Sequence, residues 1–66
     1  MQIILNGKQT KIQGSMSVTD LIKYFQLDPR WVIAELNGQA LLKEEYSKHK
    51  IKNGDKVELV KPVAGG

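Results

Sequence analysis

Three Asn-Gly dipeptides, Asn6-Gly7, Asn37-Gly38 and Asn53-Gly54, divide a chain of 66 residues. A tight type I′ hairpin turn needs φ > 0 at both central residues, and Asn followed by Gly tolerates this best. The first dipeptide separates Gln2–Leu5 from Lys8–Gln13. In the first run Met1, Ile3 and Leu5 alternate with Gln2 and Ile4. In the second, Thr10 and Ile12 alternate with Gln9, Lys11 and Gln13. Alternation on both sides of such a turn predicts an N-terminal hairpin. Its first strand, apolar on both sides, belongs inside a sheet; the polar second strand belongs at an edge.

The other two dipeptides organise the second half. Trp31–Leu36 reads as a strand folded back by Asn37-Gly38 onto a short segment, Gln39–Leu42. Lys43 to Lys50 is polar and loop-like, with Tyr46 as a packing anchor. Asn53-Gly54, extended by Asp55, turns the chain into a last strand, Lys56–Val60. Between the halves, Ser17 is a good N-cap with Asp20 at N3. Val18, Leu21, Ile22 and Phe25 follow at i, i+3, i+4 and i+7, one apolar stripe of a helix over about 18–26. Asp28-Pro29 is expected to end it. The order is strand, strand, helix, strand, short strand, strand. That is an α+β fold, a mixed four- to five-stranded sheet with one helix on one face. Alternation places Ile3, Leu5, Val32, Ala34, Leu36, Val57 and Leu59 under the helical stripe. Ile4, Ile33 and Val60 fall on the opposite face among Glu35, Lys56 and Glu58. An apolar centre with a charged rim is the pattern of a partner-docking patch.

Length allows one domain, read as residues 1–60 with a flexible tail at 61–66. With no cysteine there is no disulfide, thiolate metal site or persulfide on the chain. The lone His49 sits between lysines and reads as solvated surface; no metal site is expected. No apolar run approaches the roughly 20 residues needed to span a bilayer. The first six residues lack the basic and apolar stretches of a signal peptide. A soluble, cytoplasmic protein is expected, free of membrane. The net charge of +3 is mild. Aromatics are not interleaved with the lysines of the C-terminal third, so a nucleic-acid partner is not expected either. No phosphate loop or Ser-His-Asp set is present.

The most informative stretch is the end, Lys61-Pro62-Val63-Ala64-Gly65-Gly66. Pro62 cannot continue a central ladder, so the chain should leave the sheet there. Side chains then shrink to Ala64, Gly65 and Gly66. Such a segment can enter a slot too narrow for other residues. The residues themselves leave two readings open, a frayed end and a slot-entering carboxylate.

The ordered set of motifs resembles the sulfur-carrier family of thiamine biosynthesis, ubiquitin-like β-grasp proteins. It comprises Ile3-Ile4-Leu5-Asn6-Gly7, Ser17-Val18-Thr19-Asp20-Leu21-Ile22, Val32-Ile33-Ala34-Glu35-Leu36-Asn37-Gly38, Asn53-Gly54-Asp55-Lys56-Val57-Glu58 and Val63-Ala64-Gly65-Gly66. Together these span the whole chain. Two departures are visible: no proline follows Leu42, with Tyr46 where a Trp is common, and Pro62 precedes the tail motif. Both are expected to touch partner contacts more than the fold. The resemblance implies a carrier and not an enzyme, with no cofactor of its own. A ubiquitin-activating-like adenylyltransferase would use ATP to convert Gly66 into an acyl adenylate. A sulfur-donating persulfide protein would turn that into a thiocarboxylate, and a thiazole synthase would receive the sulfur. Gly65 and Ala64 would give access; Ile4, Ile33 and Val60 would dock the partners. A carrier that must present its end is expected to be a monomer when free. Three alternatives stay open: a small subunit of molybdopterin synthase, a ubiquitin-like protein modifier joined through Gly66, and a small binding module with an inert tail.

Overall fold

The computed structural model describes residues 1–61 of the chain. The expectations for Pro62, Val63, Ala64, Gly65 and Gly66 lie outside the described residues. Five strands form one sheet: β1 Gln2–Leu5, β2 Lys8–Lys11, β3 Ile33–Leu36, β4 Gln39–Ala40 and β5 Lys56–Val60. The spatial order is β2-β1-β5-β3-β4, with β1 and β5 parallel and the other neighbours antiparallel. The last strand therefore lies at the centre, β1 lies inside, and the polar β2 forms an edge.

The first two Asn-Gly turns have positive φ at both residues, 50° and 80° at Asn6-Gly7, 51° and 84° at Asn37-Gly38. At the third dipeptide Gly54 alone is left-handed, at 87°. That turn makes no hairpin. It lays the chain beside β1, where the Asn53 carboxamide oxygen accepts from Gln2 N–H (2.8 Å) and Gly54 N–H donates to Gln2 O (2.7 Å).

Helix α1 spans Val18–Tyr24 and opens on a capping box. The Ser17 hydroxyl accepts from Asp20 N–H (3.1 Å), and the Asp20 carboxylate accepts from Ser17 N–H (3.0 Å). The helix ends earlier than its apolar stripe and its Asp-Pro signal suggest. Gln26 turns left-handed at φ 61°. Its N–H donates to Lys23 O (2.9 Å) and Leu27 N–H to Ile22 O (3.1 Å), a Schellman closure. Phe25 thus becomes the C-cap, swings off the stripe and is exposed. This corrects its expected place in the core. The sheet's contribution is close to expectation, with Ile3, Val32, Ala34, Val57 and Leu59 buried under Val18, Leu21 and Ile22. Leu5 and Leu36 are partly buried at the margin.

Ile12, Tyr46 and Ile51 complete the core from outside the strands. Ile12 is drawn in because Met1 pairs with it at both main-chain groups, each at 2.9 Å. Ile51 is held by its N–H to Met16 O (2.7 Å). The stretch after Leu42 is less loop-like than its polarity suggests: Lys43–Glu45 forms a 3-10 turn. Tyr46 follows it inward, and its phenol donates to Val32 O (2.8 Å) while accepting from Ala34 N–H (3.0 Å). Tyr46 is thus the packing anchor expected of it, and this departure from the family pattern bears on the fold rather than, as also expected, mainly on partner contacts. Trp31, expected to begin β3, lies instead in a turn, its N–H on Asp28 O (3.0 Å), and is exposed.

Candidate functional site

Helix α1 covers one face of the sheet and leaves the other open. Ile4, Ile33 and Val60 all lie on the open face and are exposed by 37%, 47% and 49%, well beyond the buried core positions beside them. The register brings Ile33 directly opposite Val60 on β3 and β5. It places Ile4 opposite Lys56, four residues back along β5, roughly 13 Å away at strand spacing. Lys56 and Glu58 lie between. The structure thus joins two of the three expected docking residues and sets the third apart.

A residue not singled out from the sequence takes the vacant place. Leu41 N–H donates to Ala34 O (3.0 Å), carrying the β3–β4 register past Ala40. Leu42 follows, extended and exposed, beyond the last paired residue of β4. Leu42, just past the end of β4, and the paired Ile33 and Val60 are exposed apolar residues at this end of the sheet, a short apolar row. The signal was present: counting outward from the two-residue turn at Asn37-Gly38 leads to Leu42 at the Ile33 end of β3.

The row is bounded by charge. Glu35 and Glu58 lie directly opposite each other on the next rung of the open face. Like charges at that spacing repel. Lys61, the residue after β5, is exposed, as is Arg30 in the turn before β3. Arg30 grips Asp28 through two guanidinium nitrogens (2.8–3.2 Å) and lies 5.8 Å from the centre of the Trp31 ring. Hydrogen bonds from Arg30 hold the Asp28 carboxyl down at about 2. The pair is solvent-exposed, so it orders this loop more than it stabilises the domain.

The sequence-predicted Gly66, Gly65 and Ala64 lie outside the described residues. Their anchor does not: β5 ends at Val60, at the row. Among the described residues no group of three or more His, Cys, Asp or Glu is arranged to hold a metal ion. No helix among them is long and apolar enough to cross a membrane. The most apolar part of the open face lies beside the end of the strand that leads to residues 62–66.

Comparison with known proteins agrees with this architecture. The ThiS family profile matches residues 3–66. The sulfur carrier protein ThiS of Bacillus subtilis is 35% identical, over 94% of this chain and 96% of that one. ThiS of Escherichia coli is 32% identical across the whole of both. A thiazole synthase of Paramagnetospirillum magneticum is 32% identical over the whole chain, which spans 20% of that protein's length. The crystal structure of the thiamine biosynthesis protein ThiS from Geobacter metallireducens superposes with a TM-score of 0.85 at 33% identity, each chain covered completely. A β-grasp sheet with its last strand at the centre and a match that runs through Gly65-Gly66 lead to one conclusion: the chain belongs to the ThiS family.

Proposed function

We propose that this protein is a sulfur carrier of thiamine biosynthesis and that Gly66 is the atom-bearing end. The observation that carries the reading is the family match reaching residue 66, on a fold whose central strand ends beside an exposed apolar row. A carboxylate is a poor electrophile. Attack of the Gly66 carboxylate on ATP, with pyrophosphate leaving, makes a mixed anhydride with a good leaving group. The terminal sulfur of a partner's persulfide attacks the acyl carbon and AMP leaves, giving an acyl disulfide. A partner thiolate then attacks the partner-side sulfur, forming a partner disulfide and releasing the thiocarboxylate. Its sulfur is a better nucleophile than the oxygen it replaced and passes to a thiazole synthase. On this reading the catalytic groups are the partners', and the use of ATP supports a cytoplasmic location. The similarity of the whole chain to a fifth of a protein named thiazole synthase supports that acceptor, because joining two partners in one chain raises their effective concentration.

Gly65 and Ala64 give the end its narrow profile, and the row Leu42–Ile33–Val60 docks the activating enzyme. ATP–pyrophosphate exchange with the cognate activating enzyme tests the proposal. Deletion of Gly66 leaves a carboxylate one residue short, about 3.5 Å from its reaction position. A misplacement of 1 Å already costs on the order of 10²-fold in rate. The deletion and Gly65→Val are expected to abolish exchange with the melting temperature unchanged. Mass spectrometry of chain taken through the reaction is expected to localise an oxygen-to-sulfur replacement at Gly66. Normal exchange by the deletion variant overturns the reading.

A further inference from the structure

The strand that leads toward Gly66 is held on both sides up to its end. On one side Ile33 pairs with Val60. On the other, the parallel ladder runs from Ile4 N–H to Asp55 O and from Asn6 N–H to Val57 O, both at 2.9 Å. Regular parallel pairing would next join Leu59 N–H to the main-chain carbonyl of Asn6. That carbonyl is turned away, because Asn6 is left-handed in order to start the hairpin. The side chain stands in for it. Asn6 Oδ1 accepts from Leu59 N–H at 2.8 Å, and Asn6 Nδ2 donates to Leu59 O at 3.3 Å. A carboxamide has the donor and acceptor of a peptide group, so one side chain supplies the strand residue that β1 lacks.

We infer that Asn6 is a positioning residue for the carrier end. Its carboxamide keeps Leu59 and Val60 in the sheet and so fixes the anchor from which the chain continues to Gly66. The inference rests on Gly66 being the acceptor. If the anchor frays, more residues must be ordered each time the end enters a partner's site, and that cost falls on binding. The molecule contains its own control. Asn37 makes the same kind of turn at the other end of β5, where its Oδ1 accepts from Lys56 N–H at 2.9 Å. It clamps the strand where it begins.

The test compares Asn6→Gly with Asn37→Gly. Glycine keeps the left-handed turn in both and deletes the carboxamide. Two readouts apply: amide hydrogen exchange at Leu59, and kinetics of ATP–pyrophosphate exchange with the carrier as the varied substrate. Asn6→Gly is expected to expose the Leu59 amide and to raise KM for the carrier about ten-fold, with kcat unchanged. Asn37→Gly is expected to lower the melting temperature comparably and to leave KM and the Leu59 amide as they were. Equal KM values in the two variants, or a Leu59 amide indifferent to Asn6→Gly, overturn the inference alone. A wild-type chain that supports no exchange overturns the carrier reading, and this inference with it.

Discussion

At the scale of the residue, the recurring device is a side chain that finishes a ladder where a strand has stopped. Asn6 and Asn37 do so on either side of β5, and Tyr46 does so for β3. Because β4 is two residues long, Ala34 N–H and Val32 O have no strand partner beyond it, and the Tyr46 phenol serves both. Tyr46→Phe keeps the ring and strands two buried main-chain groups. A loss on the order of 2 kcal/mol is expected, read as a lower urea midpoint with an unchanged m-value. Gln26 makes the opposite prediction. It closes the helix at φ 61°, a conformation that suits glycine. Gln26→Gly is expected to stabilise the domain by up to about 1 kcal/mol in a thermal melt, because relief of the left-handed strain outweighs the added freedom of the unfolded chain. An unchanged or lower melting temperature would show that the strain is already relieved by the Schellman bonds.

The element scale is dominated by the short helix. Seven residues do not hold a helix on their own, so its start and its packing must both be specified. The capping box specifies the start. Hydrogen bonds from the Ser17 main-chain N–H first, and from the Ser17 hydroxyl second, hold the Asp20 carboxyl below its ordinary value. The sign follows from that direction. A carboxyl depressed in the folded state lends stability that is complete above the ordinary carboxylate pKa and fades as pH falls through the depressed value. Asp20→Asn should therefore be less stable than wild type near neutrality, and the gap should close below about pH 4. Urea melts across that range check it; a gap independent of pH would mean that the carboxylate charge contributes nothing to the cap. The open face carries a smaller prediction. Glu35 and Glu58 face each other directly, so Glu35→Gln is expected to gain a few tenths of a kcal/mol, on the order of cross-strand pair energies, and to lose it in high salt.

At the scale of the whole molecule, one small core lies under one face of the sheet, and the other face is left open with apolar residues exposed on it. Leu21 is completely buried, and Leu→Ala at such a site costs roughly 2–5 kcal/mol. A core of this size rarely supplies more than about 3–5 kcal/mol, so Leu21→Ala should bring the domain close to unfolding at room temperature. A melting curve unaffected by it would contradict the packing of α1 on the sheet. Ile33→Asp lies on the other side of the same strand system and is half exposed. It should weaken binding to the activating enzyme, measured by calorimetry, while the melt stays near wild type. Much of this was legible from residue order. Asn-Gly turns have one favoured geometry and alternation has one period, so both hairpins, the capped helix and the two faces of each strand follow from local chemistry alone. The tail motif Ala64-Gly65-Gly66 is equally a matter of sequence. What local chemistry could not supply was the distance between elements. Ile4 shares a face with Ile33 and Val60 by alternation, yet the parallel register of β1 on β5 sets it apart, opposite Lys56. Phe25 keeps the helical period and still leaves the core, because Gln26 closes the helix one residue after it. Ile51 is buried by a main-chain bond to Met16, a partner remote in sequence. Periodicity reports which way a side chain points, and only the assembled sheet decides what stands next to it.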